Sequence, residues 1–157
     1  MRAVLTPDAP TPVGPYSQAI VHGELVFASG QIPLDPQSGK LVQGEIEAQT
    51  ERVLDNLRAV LEGAGSSLAQ VLRTTVYVTD LALFARINTV YARYFESAPQ
   101  PARATVQVAA LPLGSQVEID AVALIAKRRR AKRASAGSRR SPSRGRARAR
   151  AKRRPSR

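Results

Sequence analysis

The apolar pattern of this chain stops at Ala126, and that break constrains its folding more than any other feature. Residues 127–157 contain only Lys, Arg, Ala, Ser, Gly and Pro. Sixteen of the 24 basic residues lie there, and no acidic one. Without a large apolar side chain, nothing offsets the entropy of ordering such a segment, so it reads as a disordered polycation. Residues 1–126 hold the other eight basic residues and all twelve acidic ones, a formal −4. The overall +12 is therefore the average of a mildly acidic body and a tail of +16. A body of that size can bury about two-thirds of its unfolded surface, enough for one core. One domain over residues 1–126 and a Lys/Arg-rich tail over 127–157 are the expected division.

Several chemistries fall away. The chain has no cysteine, so disulfides, thiolate metal ligands and a Cys nucleophile are absent. His22 is the single histidine, which makes a His-based zinc site or a Ser/His/Asp triad very hard to assemble. No metal or cofactor is expected. Apolar runs such as Ala121–Ala126 are too short to cross a bilayer, and the first residues show no apolar signal core. A soluble cytoplasmic protein is the expectation.

Within the body, residues 1–15 carry four prolines and read as an irregular arm. Ala19-Ile20-Val21 and Leu25-Val26-Phe27-Ala28 flank His22-Gly23 and predict a β-hairpin. A short strand at Leu41-Val42 is expected next. Glu45–Glu62 has apolar residues at helical spacing, from Ile46 to Leu61, with Gly63 and Gly65 placed to stop the helix. Val71–Thr79 alternates as a strand, with Leu72, Thr74, Val76 and Val78 on one face. Thr79 or Asp80 can cap a second helix reaching about Ser97, with Phe84, Ile87, Tyr91, Tyr94 and Phe95 facing inward. Thr105–Ala109 and Val117–Ile125 complete the set as strands.

This order predicts an α+β fold with two helices packed on one face of a mixed sheet. The last strand collects Glu118, Asp120, Val122 and Leu124 on the other face. A face that mixes carboxylates with aliphatics, and that the helices do not cover, is expected to meet another subunit.

Few residues of the body carry chemistry. Arg103 can grip a carboxylate through two charge-assisted hydrogen bonds. Glu118 can take a proton from water or hold a water in place. Alternation puts Arg103, Thr105 and Gln107 on one face, and a tight hairpin to the last strand would bring Glu118 and Asp120 to that same face. Gly30 admits close approach to the backbone, and Ser29 and Tyr16 offer hydroxyls. The same residues more often serve an ordinary ion pair, solvated charges and core packing, by roughly three to one, so composition and spacing alone stop at an oligomeric α+β domain with a possible anion site.

Four motifs go further. GPYSQA (Gly14–Ala19) precedes FASGQIP (Phe27–Pro33), which is followed by Gly39-Lys40. INTVYARYF (Ile87–Phe95) comes next, then PARATVQVAALP (Pro101–Pro112) with VEIDAVA (Val117–Ala123). In this order they resemble the reactive intermediate deaminase (Rid, YjgF-like) family over residues 3–126. The resemblance implies a chorismate-mutase-like fold and a homotrimer whose sheets form a central barrel, with ligand clefts between subunits. It implies hydrolysis of reactive 2-enamine and 2-imine acids, such as 2-aminoacrylate and 2-iminopropanoate, to 2-keto acids and ammonia, without a cofactor. By that resemblance Arg103 holds the substrate carboxylate and Glu118 positions or activates the attacking water. Tyr16, Ser29, Gly30, Asn88 and Thr105 fall at cleft positions. Many relatives have Cys where this chain has Thr105, and Arg where it has Ala110, which bears on substrate preference.

Two other readings stay open at this point. The cleft can bind a carboxylate metabolite without turnover. Alternatively the tail dominates, its cations, beginning Lys127, Arg128, Arg129, Arg130, Lys132 and Arg133, binding DNA or RNA non-specifically by neutralising phosphates. Nucleoid association would result. The tail has no aromatic residue to stack bases and no apolar anchor for a membrane.

Overall fold

The computed structural model describes residues 1–96 and 99–126. The tail expectations, including those on Lys127, Arg128, Arg129, Arg130, Lys132 and Arg133, lie outside the described residues, as does the predicted helix end at Ser97.

Six strands form one mixed sheet: β1 (Arg2–Val4), β2 (Ala19–His22), β3 (Leu25–Gln31), β4 (Val71–Val78), β5 (Ala102–Gln107) and β6 (Val117–Leu124). Their order across the sheet is β1-β2-β3-β6-β4-β5. Two helices, α1 (Ile46–Ala64) and α2 (Phe84–Tyr94), pack together on one face. No described helix is long and apolar enough to cross a membrane.

The β2–β3 hairpin forms as its sequence predicts, with Gly23 in the left-handed turn conformation at φ 59°. The proline-rich arm is not wholly irregular. Arg2–Val4 pairs with β2 as β1, and the buried Gln18 side chain pins the arm from Thr6 to Pro10. Its Oε1 accepts from Thr6 N at 2.7 Å, and its Nε2 donates to Thr6 O at 3.1 Å and to Pro10 O at 2.9 Å. The turn of the GPYSQA motif is thereby held against the sheet.

Helix α1 buries Val53, Leu54, Leu57, Val60 and Leu61, the stripe its spacing predicts. It runs past Gly63 and is stopped by Gly65 alone, which caps it at φ 86°. Gly63 serves packing instead, because a Cβ there would meet Thr6 Cβ at 3.0 Å. The Leu41-Val42 strand reduces to a single bridge between Leu34 and Leu41.

In β4 a bulge between Val71 and Arg73 turns Leu72 outward, so only Thr74, Val76 and Val78 of the expected four face the helices. Asp80 caps a 3₁₀ turn over Leu81–Leu83, its Oδ1 accepting from Ala82 N at 2.8 Å, and α2 comes directly after. Phe84 is 38% exposed and not in the core, whereas Ile87, Tyr91 and Phe95 are buried.

The connection after β5 differs from the sequence expectation. β5 and β6 form no hairpin. The chain leaves β4, passes through α2 and returns as β5 parallel to β4, a βαβ unit. Residues 108–116 then cross the end of β4, with Val108 N donating to Val78 O and Thr79 N to Gln116 O. β6 enters between β3 and β4, antiparallel to both. The uncovered face carries Tyr77, Glu118 and Asp120 beside Phe27 and Val106, which are 45% and 41% exposed.

Candidate functional site

The residues expected to act together fall in two groups on opposite faces of the sheet. In β4, Thr74, Val76 and Val78 face the helices while Thr75 and Tyr77 face away. Arg103 is paired with Thr74, so it projects on the helix side. Glu118 is paired with Tyr77, so it projects on the open side. They are also two strand spacings apart, roughly 10 Å, and three residues apart along the strands, roughly 10 Å more. The shared face expected from a β5–β6 hairpin is therefore overturned, because β4 lies between the two strands.

The first group surrounds Glu118. Strand β3 bulges at Ser29-Gly30, where register with β6 shifts between Ala28 and Gln31. The bulge brings the Gly30 backbone under the Glu118 carboxyl group: a Cβ at Gly30 would lie 2.8 Å from Glu118 Cδ. Glycine is required here for space. Ser29 is fixed by its neighbours, its Oγ donating to Ser17 O at 2.7 Å and its N–H to Gln18 O at 3.0 Å. Tyr16, Ser29, Gly30 and Glu118 line one cavity of about 250 Å³, closed on the far side by Pro112. Next to Pro112, Leu113 takes a left-handed φ of 57°, a strained conformation for a leucine, and is exposed.

Burial raises the Glu118 pKa above the ordinary carboxylate value, and the nearby Asp120 charge adds to the rise. Asp120 is itself well satisfied, accepting from Tyr77 Oη at 2.9 Å and from Thr75 N at 3.1 Å. No hydrogen bond from a described residue reaches Glu118 in the same way, which leaves its oxygens available to a ligand or a water.

The second group surrounds Arg103. Leu81, Phe84 and Thr105 line a depression on one side of it. On the other side lie Asn88, Tyr91, Gln100 and Pro101. The guanidinium carbon is 4.6 Å from the Tyr91 ring centroid and 5.7 Å from that of Phe84. No described carboxylate forms an ion pair with it. Thr105 on one side and Asn88 on the other thus border Arg103. The two aromatic contacts were not foreseen, since helical spacing assigned both rings to the core. The seven-residue separation of Phe84 and Tyr91, two helical turns, is the signal that puts both on one stripe of α2. Among the described residues, no group of three His, Asp or Glu side chains is placed to hold a metal ion.

A family model described as Endoribonuclease L-PSP matches residues 6–125, the greater part of the chain. The chain belongs to this family, the Rid/YjgF proteins. Protein DfrA of Myxococcus xanthus is 55% identical over 125 residues, which are 78% of this chain and 95% of DfrA. Reactive Intermediate Deaminase A, chloroplastic, of Arabidopsis thaliana is 48% identical over 124 residues, covering 79% of this chain and 66% of the plant protein. Among solved structures, RidA from an Antarctic Psychrobacter superposes with a TM-score of 0.76 at 45% identity, covering 80% of this chain and all of RidA. TdcF of E. coli with bound serine gives 0.76 at 40% identity, covering 79% and 98%. In this Rid/YjgF chain the matched region ends where the basic tail begins.

The raised Glu118 pKa has a consequence for stability. A folded-state pKa above the unfolded value means that protonation favours the fold. The ionised carboxylate therefore weakens the fold as pH rises through the folded pKa. Glu118→Gln is expected to raise the melting temperature at pH 7. The gain should shrink as pH falls below the ordinary carboxylate range, where wild-type Glu118 is protonated in both states. Melting curves from pH 3.5 to 7.5 check this; a gain independent of pH would show that the Glu118 charge is not what weakens the fold.

Proposed function

We propose that this protein is a hydrolytic deaminase that converts 2-enamine and 2-imine acids, such as 2-aminoacrylate and 2-iminopropanoate, to 2-keto acids and ammonia. It works as a homotrimer. The uncovered sheet faces form a central barrel, and each active cleft pairs Arg103 of one subunit with Glu118 of its neighbour. The observation that carries this reading is the separation of the two groups. An unneutralised arginine and a carboxylate with a raised pKa each border a ligand-sized hollow, on opposite faces of one sheet. Each is half of a site that a second copy completes. Exposed Phe27 and Val106 give the open face the apolar area that subunit contact requires.

The chemistry needs little machinery. Arg103 takes the substrate carboxylate through its fork of N–H donors. Glu118 holds a water against the electrophilic imine carbon and accepts its proton as the C–O bond forms. The same proton is returned to nitrogen, giving the carbinolamine; its hydroxyl proton then passes to nitrogen, with Glu118 as the relay, as the C–N bond breaks, the carbonyl forms and ammonia leaves. Its raised pKa makes Glu118 a stronger base than an exposed carboxylate. Positioning supplies the remainder, because the imine is already reactive. Reactive Intermediate Deaminase A, by its name, and TdcF, which holds serine in its structure, both bear on this reading. The TdcF complex also favours a second one, capture of a small amino or keto acid without turnover.

A coupled assay separates the two. A dehydratase generates the enamine, and keto-acid formation is followed above the spontaneous rate. Arg103→Ala should lower kcat/KM by about 10- to 100-fold, the value of a charge-assisted bidentate contact. Arg103→Lys should recover little of it. Wild-type protein that binds a keto acid but leaves the rate at the spontaneous value would select the capture reading.

The tail supplies a second partner in the same proposal. Its sixteen cations without an acid suit non-specific binding to nucleic acid phosphates, and would associate a cytoplasmic enzyme with the nucleoid. Ala126 is pinned by its N–H to Gly65 O at 2.9 Å, at the end of β6 remote from Glu118. Truncation after Ala126 should abolish salt-sensitive binding to duplex DNA and leave hydrolysis within about twofold. Retained DNA affinity in the truncated protein would place the nucleic acid site on the body.

A further inference from the structure

Three arginines on the helical layer pair with carboxylates, and one of them, Arg58, also lies over the Tyr94 ring. Arg86 pairs with Glu45 and Glu47, Arg93 with Glu51, and Arg58 with Asp55. Arg103 pairs with none of the described carboxylates and lies instead against the rings of Tyr91 and Phe84. The difference has a physical meaning. An arginine that receives an incoming carboxylate must be held still, since a long free side chain loses rotamer entropy on binding. A carboxylate neighbour would hold it but occupy the fork and cancel its charge. An aromatic face attracts the guanidinium through the ring quadrupole and leaves the N–H edges free.

The two rings are not equivalent. Tyr91 is 7% exposed and anchored twice. Its Oη and Thr74 Oγ1 share a hydrogen bond at 2.7 Å, and its ring stacks on Phe95 at 4.4 Å between centroids. Thr74 is fully buried and is also the backbone partner of Arg103 in the β4–β5 ladder. One residue therefore fixes both the strand that carries the arginine and the ring it rests on. Phe84, one step further out and exposed, closes the other side.

We propose that Tyr91 and Phe84 are positioning residues which form an aromatic cradle for Arg103, orienting its fork toward a carboxylate without neutralising it. The proposal rests on the reading of Arg103 as the carboxylate ligand.

The test uses the full-length protein, uniformly labelled with ¹⁵N, and follows the Nε–Hε resonance of Arg103. In the wild type that proton should be shielded by the ring currents and its motion restricted compared with the exposed Arg73. Tyr91→Phe should preserve both. Tyr91→Leu and Phe84→Leu should each move the resonance toward the position of Arg73 and increase its mobility. Binding of 2-oxobutanoate, measured by calorimetry, should weaken about tenfold in Tyr91→Leu and about threefold in Phe84→Leu, and stay within about twofold in Tyr91→Phe. In turnover the loss should fall on KM, with kcat within about threefold. If the buried Tyr91→Leu variant does not fold, Phe84→Leu, altered at an exposed ring, decides alone. An Arg103 resonance and a Kd unchanged in the leucine variants would overturn the cradle. Undiminished 2-oxobutanoate binding by Arg103→Ala would instead remove the carboxylate role, and the resonance would still report whether the rings hold the guanidinium.

Discussion

Strand β4 pairs in parallel with β5 on one side and antiparallel with β6 on the other, and those two ladders dictate the placement of Arg103 and Glu118. The parallel ladder sets Arg103 beside Thr74 on the helical face, where α2 can supply aromatic rings. The antiparallel ladder sets Glu118 beside Tyr77 on the open face, where the β3 bulge brings Gly30 beneath it. The period of two along β4 then keeps these groups apart. A one-residue slip in the parallel ladder would turn Arg103 to the open face, and one in the antiparallel ladder would turn Glu118 to the helical face. The buried residues Val117, Ile119, Ala121 and Ala123 oppose the second slip, because it would drive them out of the core.

Electrostatics differ on the two faces for the same reason. The helical face pairs Arg58, Arg86 and Arg93 with aspartate or glutamate and spares Arg103. The open face concentrates Glu118 and Asp120 beside apolar residues, and satisfies Asp120 with Tyr77 and Thr75 while leaving Glu118 to burial. The half-buried, undersatisfied carboxylate is a costly feature for an isolated chain, whereas Arg103 is exposed to water. In the proposed assembly the two would complement each other where one chain's helical edge meets another's open face.

Local periodicity made much of the fold legible. The β2–β3 hairpin, the apolar stripe of α1, the Asp80 cap and the alternation of β6 all rest on contacts near in sequence. What escaped depends on distant partners. Arg2–Val4 becomes a strand only because β2 offers an edge. Gly63 permits helix because Thr6 needs its space. The β5–β6 connection has the Pro and Gly content of a tight turn, yet parallel pairing of β5 with β4 is invisible to short-range signals. That single error put Arg103 and Glu118 on one face. The candidate site residues come from motifs spread over the chain, whose members the fold gathers into two groups. Phe84 and Tyr91 escaped because an aromatic stripe on a helix has the same spacing whether it serves the core or an arginine.

The claim that each cleft is built from two chains is tested most directly by complementation. Arg103→Ala and Glu118→Gln variants, each strongly impaired alone, are unfolded together, refolded as an equal mixture and assayed for imine hydrolysis. Random assembly with sites between subunits pairs an intact Arg103 with an intact Glu118 at about one site in four, so about a quarter of wild-type activity should return. A mixture as inactive as its components, in oligomers shown by mass to contain both chains, would place both residues' roles within one chain and contradict the shared site.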